Sequence, residues 1–183
     1  MGELAARSHD EAMVYVVLRP CRACGEQIRD IDDESAEHDD AVLVEYTTTC
    51  RRCRNTDTYR FRLPRADGGP GTAEVYYGGA EPSRIIDAGE WLEFADRVAT
   101  GGPVSPAGLS PTERAQAARA MAAAAAAVGE VLKFIPAGAD RVPLTAVWTE
   151  RGRSEFAREP ARMRRVRMEV LEAAYQRSAA ALE

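Results

Sequence analysis

Four cysteines are the residues of this chain best suited to chemistry. They stand as two matched pairs, Cys21-Arg-Ala-Cys24 and Cys50-Arg-Arg-Cys53, with twenty-five residues between the pairs and no cysteine left over. A two-residue spacer lets one tight turn aim two sulfurs at a single ion, and two such turns complete a tetrahedral thiolate shell at about 2.3 Å. The spacing predicts one structural zinc ion per chain, held by Cys21, Cys24, Cys50 and Cys53. Two competing readings are redox or disulfide chemistry at the CxxC pairs and an iron–sulfur cluster. Redox CxxC pairs usually open a helix after a strand in a βαβ unit, and no such alternation is read here. A zinc ion held by four thiolates keeps no open position for water, so it stabilises structure and does not catalyse.

Other catalytic sets are scarce. The two histidines, His9 and His38, read as surface residues, the first in an N-terminal tail and the second in an acidic stretch. There is no P-loop, nucleophile elbow, dinucleotide fingerprint or HExxH pattern. Adjacent carboxylates such as Asp32-Asp33 and Asp39-Asp40 occur only in that acidic stretch, which lacks the spacing of a calcium loop. Trp91, Trp148, Tyr76 and Tyr77 read as core more readily than as the lining of a pocket.

Two basic groups are candidates for a binding surface. Arg51, Arg52, Arg54, Arg60 and Arg62 follow the second cysteine pair closely, and Arg162, Arg164 and Arg165 open the last predicted helix. Phosphate contacts would explain both groups. So would local neutralisation: residues 26–40 carry Glu26, Asp30, Asp32, Asp33, Glu34, Glu37, Asp39 and Asp40 against Arg29 alone. Neutralisation is the preferred reading, and residues 26–40 are expected to be a solvated, mobile loop.

The elements that must hold the cysteines follow from periodicity. Residues 13–20 are β-branched and aromatic and read as a strand entering the first pair. Residues 41–49 read as a strand entering the second. Tyr59, Phe61 and Leu63 alternate with Arg60 and Arg62, the period of a half-buried strand. Residues 73–77 read as a fourth strand after a glycine-rich turn. Gly25 follows Cys24 and suits the positive φ a tight turn needs, and Asn55 is the matching tolerant residue after Cys53. Over residues 13–64 this order of strand, CxxCG, excursion, strand, CxxC and strand resembles a zinc ribbon. The resemblance implies the four cysteine ligands and an antiparallel sheet. It implies no particular activity, because such modules serve many binding roles.

The pattern changes after Gly79. Asp87 and Glu90 form a capping-box variant ahead of Trp91, Leu92, Ala95 and Val98 at helical spacing. Residues 101–109 read as a linker. Ser110, Pro111 and Glu113 then mark a second helix start, and that helix should run to about Phe134, burying Met121, Val128, Val131 and Leu132. A short helix is expected at residues 143–148. Residues 150–158 should add a turn or two, weakened by Gly152. A long helix is expected from Pro160 to about Leu182 with Met163, Val166, Val170, Leu171 and Ala174 as its apolar stripe.

The fold class is therefore α+β, with a zinc-ribbon-like β module over residues 11–78 and a helical region over residues 83–183. The formal charge of −5 supplies no general attraction to nucleic acid or anionic membrane. Lys133 is the only lysine, and the arginine- and alanine-rich usage suggests a GC-rich, bacterial genome. Without an apolar leader or membrane-length apolar run, the chain reads as cytoplasmic. The expected role is binding, as an adaptor or accessory subunit for a protein partner. A nucleic-acid-binding protein is the alternative, and an enzyme is the third reading.

Overall fold

The computed structural model describes residues 2–37, 41–65, 75–101 and 108–183. Among them are one four-stranded sheet and five α-helices, a mixed α and β architecture. The chain divides into two units, the first comprising residues up to Gly79 with Ser83–Ile85, the second Ala80–Pro82 with Ile86–Glu183.

The first unit is built on a sheet of order β1-β4-β3-β2, from β1 (Leu4–Ala5), β2 (Asp30–Glu37), β3 (Ala41–Thr49) and β4 (Thr56–Pro64). β2, β3 and β4 are antiparallel neighbours, and β1 adds two residues parallel to β4. The alternation read in β4 is present, with Tyr59, Phe61 and Leu63 buried and Arg60 and Arg62 exposed. Val44 and Tyr46 of β3 share that buried face.

The strand expected over residues 13–20 is instead a helix, α1 (His9–Val17). Ser8 caps it by accepting a hydrogen bond from the Glu11 amide at 3.0 Å. Glu11 is itself buried and accepts from the Arg7 amide at 2.6 Å and from Arg7 Nε at 2.8 Å. Ala12 and Val16 recur at helical spacing and pack on the sheet core beside Tyr59 and Phe61. This tertiary burial outweighs the modest helix cost of β-branched side chains. His9, expected in a tail, is the first residue of α1, and its Nε2 lies 3.1 Å from the Tyr46 hydroxyl.

The acidic stretch is also not the expected loop. Residues 30–37 form β2 and pair with β3 along their full length, from Asp30↔Thr49 to Glu37↔Val42. Their strand character comes from backbone pairing, because six of the eight positions are exposed. His38, Asp39 and Asp40 lie outside the described residues, as do residues 73–74 of the expected fourth strand. Residues 75–77 are not strand.

The second unit is helical. α2 (Ala88–Thr100) and α3 (Pro111–Lys133) each begin with a complete capping box, Asp87 with Glu90 and Ser110 with Glu113. Trp91, Leu92 and Ala95 of α2 are buried, as are Ala124, Ala127, Val128 and Val131 of α3. The alanine face lets both α2 and α5 (Arg165–Ala180) pack on α3. Met121 and Leu132 are only partly buried. A 3-10 turn, Leu144–Ala146, and α4 (Glu150–Arg158) fall where short helices were expected.

The last helix differs from expectation. Pro160–Met163 is a 3-10 turn, and α5 starts only at Arg165. That break rotates the buried stripe. Met163 and Met168 are fully buried, whereas Val166 and Val170 are 62% and 63% exposed. Residues 102–107 of the expected linker lie outside the described residues. No helix among the described residues is long and apolar enough to cross a membrane.

Candidate metal centre

Cys21 follows the end of α1, and Cys50 and Cys53 occupy the turn of the β3–β4 hairpin. The two cysteine turns repeat one hydrogen-bond plan. In the first, the Gly25 amide donates to the Cys21 carbonyl at 2.8 Å and the Cys21 amide donates to the Glu26 carbonyl at 2.8 Å. In the second, the Arg54 amide donates to the Cys50 carbonyl at 2.9 Å and the Cys50 amide donates to the Asn55 carbonyl at 2.9 Å. Gly25 takes φ 74° and Arg54 takes φ 63°, so the left-handed residue of the second turn is Arg54 and not the expected Asn55. The Gln27 side-chain amide donates to the Val17 carbonyl at 2.6 Å, tying the first turn to the end of α1.

These turns bring all four sulfurs within 4.8 Å of one another. Cys21 Sγ lies 3.5 Å from Cys53 Sγ, and Cys24 Sγ lies 3.6 Å from Cys50 Sγ. Sulfurs at tetrahedral corners about 2.3 Å from one ion stand about 3.8 Å apart, so the observed set fits a single ion at its centre. All four cysteines are free of disulfides. Cys21 and Cys50 are buried with Ile28, Cys24 is half-buried and Cys53 is exposed. Among the described residues this is the one cluster of side chains suited to hold a metal ion.

The electrostatics call for a cation. The Cys53 and Arg52 amides draw the Cys50 thiol down to about 7 against its burial. The Asn55 amide favours the Cys53 thiolate, but the neighbouring sulfurs and burial dominate and push that thiol up to about 12. Cys24 is raised as well, the pull of the Glu26 amide being exceeded by burial and the crowded sulfurs. Four sulfurs this close resist simultaneous ionisation unless a positive ion sits among them.

Five arginines around the turns, Arg22, Arg51, Arg52, Arg60 and Arg65, are engaged with carboxylates. Arg51 Nε donates to Asp30 at 2.7 Å with a second contact from the same guanidinium, which holds the Asp30 carboxyl below its ordinary range. Arg52 lies 3.9 Å from Glu26, Arg60 2.5 Å from Glu45 and Arg65 3.1 Å from Glu37. Arg54 and Arg62 are exposed. Arg22, which the sequence reading did not single out, reaches Asp57 at 3.9 Å and stands over the Tyr59 ring.

The second arginine group belongs to the helical unit. Arg162 binds Asp96 through both terminal nitrogens and reaches Glu155 at 3.4 Å. Arg165 donates to the carbonyls of Ile135 at 3.0 Å and Pro136 at 3.3 Å. Arg164 is exposed at the N-cap of α5. Of the four aromatic residues weighed for a pocket, Trp91 and Tyr77 are buried. Trp148 is 38% exposed beside Phe134, and Tyr76 is 40% exposed. No family model, curated protein or solved structure matches the chain.

Proposed function

We propose that this chain is a binding protein, an adaptor or accessory subunit for a protein partner, whose first unit is stabilised by one zinc ion on Cys21, Cys24, Cys50 and Cys53. The observation that carries the reading is the closed four-sulfur set. Soft thiolates in a tetrahedral arrangement suit zinc, and their mutual proximity leaves room for one ion rather than a cluster. Such an ion is coordinatively filled and supplies stability, not water activation. The pairing of Arg51, Arg52, Arg60 and Arg162 with carboxylates favours a protein partner over nucleic acid. The likeness to a zinc ribbon rests on β3, the second cysteine turn and β4, with α1 standing where a ribbon would place its first strand.

Elemental analysis of the reduced, purified protein is expected to find one zinc per chain, with Cys24→Ser releasing it and loosening the first unit. Metal binding and folding are coupled in small thiolate sites, by roughly 10–16 kcal/mol of apparent free energy. Metal-free protein with four titratable thiols and an intact fold would sink the zinc assignment, and stoichiometric iron would replace it. Affinity capture with the zinc-loaded chain is expected to return a stoichiometric protein partner. Turnover in a substrate screen, or capture of nucleic acid alone, would overturn the adaptor reading.

A further inference from the structure

β2 is an edge strand. Among the described residues it pairs with β3 on one side, and no strand covers its other side. The opposite edge of the sheet is partly blunted by β1, which pairs with Phe61 and Arg62. An open edge presents a row of backbone donors and acceptors, and proteins blunt it with a bulge, a proline, a short strand or charged side chains. Of these devices β2 carries charge alone. It runs eight residues, Asp-Ile-Asp-Asp-Glu-Ser-Ala-Glu, in unbroken register with β3.

Charge alone selects what can pair there. Five of the eight residues are acidic and none is basic. Asp30 and Glu37 are engaged at the two ends by Arg51 and Arg65, and His9 Nε2 stands 3.6 Å from Asp33. Asp32 and Glu34 are exposed and meet no arginine among the described residues. Register places Glu34 across from Glu45, whose carboxylate already holds Arg60, so that cation is committed one strand away. A second copy of β2 paired edge to edge would set carboxylates against carboxylates, which is destabilising. An extended segment with alternate cations would instead place them beside Asp32 and Glu34 on one face of the sheet.

We propose that the open edge of β2 is a docking site for an extended basic peptide segment, which adds a strand to the sheet and sets its cations against Asp32 and Glu34. The inference rests on the reading of the chain as a binding protein and names the surface and the chemistry of the partner. Main-chain hydrogen bonds would supply affinity and the alternate side chains specificity.

The test uses the full zinc-supplemented chain and a fluorescent, end-blocked peptide alternating arginine with threonine. Saturable binding by anisotropy is expected. D32K/E34K should weaken it by about tenfold or more, as lost and reversed ion pairs accumulate. The neutral D32N/E34Q variant should lie between. Peptide N-methylated at alternate amides, which keeps every charge but loses the edge hydrogen bonds, should not bind. Equal binding of the N-methylated peptide, indifference to D32K/E34K, or no saturable binding each overturns the proposal. Should the peptide fail while D32K/E34K still captures a protein partner, the edge is wrong and the adaptor reading stands. Should neither form capture a partner, the adaptor reading falls with it.

Discussion

Gly25 and Arg54 occupy the same place in the two cysteine turns, and both take positive φ, 74° and 63°. Glycine accepts that geometry freely, whereas a side chain pays for the close approach of its Cβ to the following carbonyl. The two positions should therefore respond in opposite senses. Gly25→Ala is expected to lower stability by about 1 kcal/mol, and Arg54→Gly to leave it unchanged or raise it by several tenths. Denaturant midpoints of the metal-loaded protein measure both, and a loss of more than about 1 kcal/mol in Arg54→Gly would show that its guanidinium matters more than its backbone. The ligand set was legible because CxxC spacing is a local geometric statement. The left-handed role of Arg54 was not, because arginine carries no signature of that conformation and Asn55 beside it does. The Arg51–Asp30 pair was legible only as a general expectation of neutralisation, since composition does not say which charges a fold brings together.

Among the elements, α2 and α4 begin on one buried carboxylate. Asp87 Oδ1 accepts from the Glu90 amide at 2.9 Å, and Asp87 Oδ2 accepts from the Thr149 amide and hydroxyl at 2.7 Å each. The Thr149 oxygen in turn accepts from the Gly152 amide at 2.9 Å. By propensity alone Gly152 weakens a helix. It is required there, because a Cβ at that position would collide with the Asp87 carboxylate, and one at Gly89 would collide with the Gly152 backbone. Asp87→Ala is expected to cost roughly 3 kcal/mol, the sum of the lost α2 cap and the stranded Thr149 amide and hydroxyl. Thermal melts followed by circular dichroism read this, and a loss below about 1 kcal/mol would mean the two helix starts are independent. The first capping box was legible from Asp87 and Glu90, but the link to Thr149 spans the intervening chain and leaves no local trace. α1 was missed for a different reason. Its signal, Ser8 three residues before Glu11, is a capping-box pattern, and the β-branched run behind it carries the opposite, strand-like signal. β2 was missed because an acidic strand on an edge has no apolar alternation to read.

At the scale of the whole molecule, the negative charge lies mostly in the first unit, which carries −4 against −1 in the second. The net charge of −5 leaves little long-range pull on a polyanion, and four of the eight candidate arginines, Arg51, Arg52, Arg60 and Arg162, face carboxylates. Titration with duplex DNA at two salt concentrations should give weak binding. Its slope of log affinity against log salt should be no steeper than about −0.9, the value for a single phosphate contact. Tight binding with a slope of several units, abolished by Arg51, Arg52, Arg164 and Arg165→Ser, would move nucleic acid to first place. The sulfur set also has a consequence for how the first unit assembles. Cys50 and Cys53 share one hairpin turn, so half of the donors come together as soon as β3 and β4 pair, a local event on the microsecond scale. Cys21 and Cys24 must arrive across the twenty-five intervening residues. The entropy of closing such a loop grows only with the logarithm of its length, and β2 occupies much of it. Pairing of β2 along β3 from Glu37↔Val42 toward Asp30↔Thr49 shortens that loop step by step and ends beside Cys50. The acidic strand is thus the arm that carries the first pair of sulfurs to the second.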